Sequence, residues 1–419
     1  MRRVYLSLAL LVCSFCDLTV ALAEPSGELP RPLTVQSVIQ AASLRRAEIS
    51  AASARVRAAA QRPAIVAAPA DPMLMASVDH MPFSLMGADV SLLMEQQFPL
   101  SSVLSRRKRA AQAALERESA DSRRVTLSVE LDAVTTYYML LERRRMLTVL
   151  SALKESAEQV RVIASAHYAA AHGTQADALR AESEVLRLTG ELRAAAAEEH
   201  AAEAMLNSAL GRGASLEIPE LAPEPLDSPP PAIPSLLPVA LANRPELAGM
   251  RHERTRALAE VDVMKSMYSP MALVRGGPSY TMAEGPGVML MVGVSLPIWR
   301  ERLSAGVEEA NAMVQMADAE IAAMQNMIQG EVAAAREQVE SERARFMSLR
   351  DEVRPKAEQT VQASLASYTA LQTSAVAVVD SLQALSNVRA EEVMAEARLG
   401  IAWARLHRAL GQLGAPRGR

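Results

Sequence analysis

The sequence predicts a mainly α-helical protein with a small β part, in which a unit of helix, β-hairpin and long helical hairpin occurs twice. Three observations carry this. Landmarks recur at a near-constant separation, two pairs of alternating runs interrupt the helical texture, and each pair precedes a helical interval far longer than a globular core requires.

The recurrence is the strongest of these. Glu48 in Leu-Arg-Arg-Ala-Glu-Ile returns as Glu246 in Asn-Arg-Pro-Glu-Leu, and Phe98-Pro99-Leu100 returns as Leu296-Pro297-Ile298, both 198 positions on. Tyr168 returns as Tyr368 and Leu210-Gly211 as Leu410-Gly411, both 200 on. Four anchors in the same order define a tandem duplication. The first repeat spans 24–212, with its strand pair at about 71–98 and its coiled-coil pair at about 101–211. A linker spans 213–238, and the second repeat spans 239–419, with strands at about 270–298 and coiled coil at about 302–413. Pro219 to Pro238 contains eight prolines, which predict an extended connector because each lacks an amide donor.

Residues 1–23 read as a secretory signal. Arg2 and Arg3 precede an apolar run from Val4 to Val12, and Ala21-Leu22-Ala23 supplies a small-x-small cleavage pattern. Both cysteines, Cys13 and Cys16, fall inside it, so no thiol is left for a disulfide, a metal or nucleophilic catalysis. Losing Arg2, Arg3 and Asp17 leaves 42 basic against 47 acidic side chains, a balance that does not suggest nucleic acid. With 50% apolar and 22% charged residues the chain can bury a large core, yet no apolar run beyond the signal approaches the ~20 residues of a spanning helix. Any crossing of a bilayer falls to strands.

Val35 to Arg62 is an alanine-rich helical stretch that Pro63 is expected to end. Asp71 to His80 and Asp89 to Phe98 then read as a strand pair around Pro82 and Gly87. In the second run Val90, Leu92, Met94 and Phe98 share one face, opposite Ser91, Glu95 and Gln97. Met271 to Met282 and Val288 to Ile298 repeat the pattern around Gly285-Pro286-Gly287, with Val288, Leu290, Val292, Val294 and Leu296 on one face. About ten residues is the length of a tilted membrane-crossing strand. A buried hairpin in a soluble domain gives the same local pattern, but two pairs at equivalent places in an exported duplication favour the membrane.

From Ser101 to His172 there is neither proline nor glycine, which predicts a rod on the order of 100 Å. Leu127, Leu131, Val134, Tyr138 and Leu141 follow the 4-3-4-3 spacing of coiled-coil packing, and Thr174 to Leu210 supplies an antiparallel partner. The second half offers Arg302 to Ala366, interrupted by Gly306, Gly330 and a bend at Pro355, then Ala375 to Leu413 with Leu399, Ala402, Leu406, Ala409 and Leu413 in 3-4-3-4 rhythm.

This order resembles the TolC-like outer membrane efflux proteins. The residues that carry the resemblance are Ala-Leu-Ala-Asn-Arg-Pro-Glu-Leu at 240–247, Val-Ser-Leu-Pro-Ile at 294–298, and the helix-turn segments beginning at Tyr168 and Tyr368. It implies a homotrimer whose twelve strands form an outer-membrane barrel continued by an α-helical periplasmic barrel, in contact with outer-membrane lipid. It also implies two partners, a periplasmic membrane-fusion adaptor and an inner-membrane transporter that supplies the energy. By the same resemblance Asp177, Tyr368 and Asp380 form a gate at the periplasmic tip, and Gly173, Thr174, Leu371 and Gln372 are where the adaptor docks. Thr373 and Ala377 depart from relatives that carry arginine and a second acid there.

Methionine is abundant in the hairpins, at Met73, Met75, Met81, Met86, Met94, Met289 and Met291. Thioethers are soft ligands for Cu(I), but methionine is equally an apolar filler. His167 and His172, five apart across a turn, do not match the spacing of a helical ligand pair, and no metal site is assigned. Arg106, Arg107, Lys108 and Arg109 suit either lipid headgroups or a solvated helix face. There is no Gly-rich phosphate loop and no Gly-x-Ser-x-Gly elbow, so neither an enzyme nor a cofactor is expected. The rival reading is a periplasmic coiled-coil scaffold or adaptor that never spans a membrane. An aromatic content of only 3% favours it, although Trp299 at a strand end suits an interfacial belt.

Overall fold

The computed structural model describes residues 29–79, 89–222 and 224–413. Residues 1–23, read above as a signal, and residues 80–88, which include His80, Met81, Pro82, Met86 and Gly87, lie outside the described residues.

One order of elements occurs twice. The first half runs α1 (Val35–Arg45), α2 (Ala47–Ala67), β1 (Met73–Asp79), β2 (Asp89–Pro99), α3 (Val103–Ala169) and α4 (Gln175–Ala209). The second runs α5 (Ile233–Asn243), α6 (Pro245–Ser266), β3 (Met271–Thr281), β4 (Gly285–Ser295), α7 (Arg300–Ser348), a π-helical turn (Leu349–Val353), α8 (Arg354–Thr369) and α9 (Ala375–Ala409). At 67 residues, α3 is about 100 Å long. It returns through a tight turn into α4, and α9 packs against α3, α4, α7 and α8. Among the described residues no helix is long and apolar enough to cross a membrane.

The buried residues form two clusters. One gathers α1, α3, α5, α7, α9 and the linker around Tyr137, Tyr138 and Leu399, while the other lies toward the helical tips around Leu188, Tyr368 and Val378. Leu399, Ala402, Leu406, Ala409 and Leu413 are all buried, as their spacing predicts. On α3, Val134, Tyr138 and Leu141 are buried while Leu127 and Leu131 pack at the margin. The linker is tied to the first half by a parallel bridge between Leu33 and Leu221 and by the Tyr137 hydroxyl, which donates to the Ala222 carbonyl at 2.5 Å.

Several helix boundaries differ from the sequence expectation. Pro63 does not end the first helix but sits buried inside α2, which continues one turn to Ala67; the lost ladder bond and the crowding of the preceding turn's carbonyl fall close to the helix end, where packing tolerates them. The break falls earlier, at Arg46, whose backbone is extended (φ −69°, ψ 128°). The predicted connector stops short of Pro238 because Ile233 already starts α5. Pro234 stands in its first turn, where no donor is needed, and Pro238 follows one turn on. Gly306 and Gly330 do not interrupt α7, and the irregularity near Pro355 is a π-turn in which the Arg354 amide donates to the Leu349 carbonyl. Pro355 is the second residue of α8, in its first turn, a position that proline tolerates.

That π-turn holds one additional residue. In the stretch leading up to it, four pairs of buried residues on the two long helices stand 199 apart, Val129 and Ile328, Ala133 and Val332, Leu140 and Val339, and Leu150 and Leu349. After it the spacing is 200, at Tyr168 and Tyr368. A wide turn absorbs the residue without rotating either flank out of register.

Candidate functional site

Three places combine exposure, charge or strain in ways that packing alone does not require. They are the four-stranded sheet, the repeated joint at Arg46 and Arg244, and the helical tips.

The sheet is antiparallel in the order β1-β2-β3-β4. The turn of its second hairpin is Met282–Glu284, so Gly285-Pro286-Gly287, expected as the loop, begins β4 instead, and β4 ends at Ser295 ahead of Pro297. Val78, Val90, Tyr280 and Pro286 lie in one cross-strand row, and Leu74, Met94, Gly276 and Leu290 in another. The face they share is almost wholly apolar and it is bare: Val288 is 84% exposed, and Leu74, Val90, Leu92, Leu290, Val292 and Val294 are exposed with it. The opposite face carries Ser77, Ser91, Glu95, Arg275 and Ser279, and there Ser91 is only 6% exposed. The Arg275 guanidinium pairs with Glu95, its Nε 2.9 Å from the carboxylate, and the Ser77 and Ser91 hydroxyls are 2.7 Å apart. Polar groups are thus covered and aliphatic groups uncovered, the reverse of a hairpin in a soluble domain. β1 and β4 are both edges of this sheet. Gly277 lets β2 and β3 approach, since a Cβ there would lie 2.1 Å from the Leu92 carbonyl oxygen.

The repeated joint accounts for the shared Arg-x-Glu at both helix breaks. Arg46 holds Glu48 through two donors, at 3.0 and 2.7 Å, and reaches the Ser208 carbonyl at 3.2 Å and Asp132 at 3.4 Å. Arg244 stands 3.1 Å from Glu246 and 2.8 Å from Glu331, and donates to the Ala409 carbonyl at 3.4 Å. In each copy one guanidinium therefore joins the break, the long helix and the end of the return helix. Gly211 (φ +66°) and Gly411 (φ +73°) close the return helices against this joint, and a Cβ on either would crowd the carbonyl of Arg45 or Asn243. The anchors Glu48 and Glu246 were visible in the sequence. Their arginine partners, two residues earlier at the same separation, were the signal left unread.

At the tips, α3 passes to α4 and α8 to α9 through turns of one geometry. Ala171 (φ 58°) and Leu371 (φ 61°) occupy the left-handed region that glycine ordinarily fills. Gly173 packs on the His167 backbone, and the Gln372 amide donates to the Ser367 carbonyl at 2.9 Å. Thr174 is the N-cap of α4, and its hydroxyl and backbone amide engage Asp177 in a reciprocal capping box. Asp380 is 3.8 Å from Arg180 across the two repeats. Tyr368 is 4% exposed and its counterpart Tyr168 is 50% exposed. The Tyr368 ring lies 5.0 Å from that of His167, a contact between the copies, and its hydroxyl has no hydrogen-bond partner among the described residues. Burial first, and the Asp177 carboxylate second, push the Tyr368 phenol above its ordinary range. Asp177 and Tyr368 are thus electrostatic neighbours, while Asp380 meets an arginine.

Among the described residues Glu199, His200 and Glu203 are the one trio of possible ligands whose atoms converge, and Arg144 already pairs with both glutamates at 3.0 and 2.5 Å. No other feature suggests a resident metal there.

Residues 236–412 match the family model described as outer membrane efflux protein. No curated protein matches the chain in sequence. Among solved structures, the chain is similar to the outer-membrane channel OprN, at 18% identity and TM-score 0.77, with 91% of each chain covered. It is also similar to the outer membrane protein VceC of Vibrio cholerae, at 17% identity and TM-score 0.75, covering 91% of this chain and 96% of that one. CusC, described with transmembrane channel formation, gives 16% identity and TM-score 0.78, over 90% of this chain and 92% of its own. The chain shares the fold of these solved outer-membrane proteins over about nine-tenths of its length, and its residues 236–412 are similar to the outer membrane efflux protein family.

Proposed function

We propose that the protein is the outer-membrane channel of a tripartite efflux system, a passive exit duct from periplasm to exterior. The observation that carries this is the inverted sheet, with aliphatic side chains bare on one face, polar ones covered on the other, and free edges at β1 and β4. Four strands cannot close on themselves, whereas three copies give twelve strands and leave no edge. Phe98, Tyr268 and Trp299 gather where the strands meet the helices, the position of an interfacial aromatic belt, with Arg300 over the Tyr268 ring at 5.6 Å. The long hairpins then extend into the periplasm, and Gly173, Thr174, Leu371 and Gln372 meet an adaptor that connects to an inner-membrane transporter. Asp177, Tyr368 and Asp380 serve as the gate, with Arg180 and His167 as their partners across the repeats. Heavy-metal cations are among the cargo we assign.

The test is extraction and reconstitution. A detergent-dependent trimer that conducts ions in planar bilayers is expected, and Val292→Arg on the aliphatic face should cost about 2–4 kcal/mol and impair barrel assembly. A monomer released from the periplasm without detergent would overturn the channel and favour the scaffold.

A further inference from the structure

The strand faces separate two roles of methionine that the sequence left together. As apolar filler, methionine belongs with Val and Leu on the bare face, yet Met94 is the one strand methionine there among the described residues. Met73, Met75, Met271, Met289 and Met291 lie on the opposite face with Ser77, Ser91, Glu95, Arg275 and Ser279. One transverse row reads Met73, Glu95, Arg275, Met291 from edge to edge; Met75 opposes Leu93 on the next level, as Met289 opposes Gly277. Four thioethers therefore stand on the two edge strands, and the charges between them cancel in the Glu95–Arg275 pair.

We propose that these methionines form a soft-cation site on the luminal face, for a monovalent thiophilic ion such as Cu(I) or Ag(I). The inference rests on the channel reading above, because closing the barrel turns the face bearing these methionines toward the lumen and joins β4 of one copy to β1 of the next, with the Met289–Met291 and Met73–Met75 pairs staggered along the joined edges by the shear of the tilted strands. Thioether sulfur binds such ions without a charged ligand, and two or three donors suffice. A lumen lined this way admits and releases the ion through successive weak contacts, as conduction requires.

Silver nitrate is the probe, in nitrate electrolyte so that silver stays in solution. Calorimetric titration of the detergent-solubilised full chain should show silver binding. The variant with Met73, Met75, Met289 and Met291 all replaced by Leu, which keeps size and apolarity, should weaken it at least about tenfold. Met94→Leu should leave it unchanged. In bilayers silver should reduce wild-type conductance and leave that of the four-leucine variant at its own silver-free value. Silver binding that survives the four substitutions, or that Met94→Leu weakens equally, overturns the site. Intact methionine-dependent silver binding by a protein that never conducts overturns the channel reading instead.

Discussion

Arg244 reaches from the break between α5 and α6 to Glu331 on α7, with its Nη1 2.8 Å from the carboxylate. Its side chain is 2% exposed, against 17% for Arg46 at the equivalent joint of the first repeat. Removing a buried guanidinium strands its acidic partners, so Arg244→Ala should destabilise by about 2–3 kcal/mol, the more so because Glu246 is left with Arg408 alone. Arg46→Ala, at a wetter joint, should cost about 1 kcal/mol or less. Thermal unfolding in detergent measures both, and equal losses would show that burial does not set the difference.

Glu130 tests the core beside that joint. It is buried on α3 with a hydrogen bond from the Ser43 hydroxyl, at 3.1 Å, and burial raises its pKa above the ordinary 4.5. A raised carboxyl pKa means that the folded chain holds a proton the unfolded chain releases. Stability therefore falls as pH rises from 4.5 through the raised value, and the loss is complete above it. Glu130→Gln should be more stable than wild type at neutral pH, with the gain disappearing in acid. A gain of the same size at every pH would place its cause elsewhere.

Leu371 combines two costs at the tip. It is 53% exposed and holds φ at 61°, where an L-residue pays about 1 kcal/mol that glycine does not. Leu371→Gly should therefore raise the unfolding midpoint while weakening capture of the cognate adaptor, because the apolar contact is gone. Unchanged adaptor affinity would remove Leu371 from the docking surface.

The strand faces were legible because a period of two survives any tertiary context, and Val288, Leu290, Val292 and Val294 obey it without exception. The heptad rhythm of α9 was legible for the same reason. Helix boundaries were less so, since Pro63 and Pro238 are tolerated where the surrounding helix is packed, and the break at Arg46 is set by a guanidinium meeting a carbonyl 162 residues away. Thr174-x-x-Asp177 is a capping-box pattern legible in the sequence, and it fixes the start of α4. Asp177 consequently carries a structural task beside any gating one. The Tyr368 contact with His167 crosses the repeats and follows no periodicity.

The extra residue in the π-turn yields the last expectation. Buried counterparts shift from 199 to 200 positions apart across Leu349–Val353, so one residue can be removed there without rotating either flank. Asp351 is exposed and bonds only its neighbour Arg350, whose other donor keeps Asp227 of the linker at 2.9 Å. A chain lacking Asp351 and carrying Pro355→Ala should fold with α7 and α8 continuous, within about 1 kcal/mol of wild type. Deletion of the equally exposed Ala334 inside α7 turns every following side chain by about 100° around the helix and should cost about 3 kcal/mol or more, as Val339 and Phe346 leave the core. Comparable losses from the two deletions would mean that the turn stores no spare residue and that the register of the tip is set on α9.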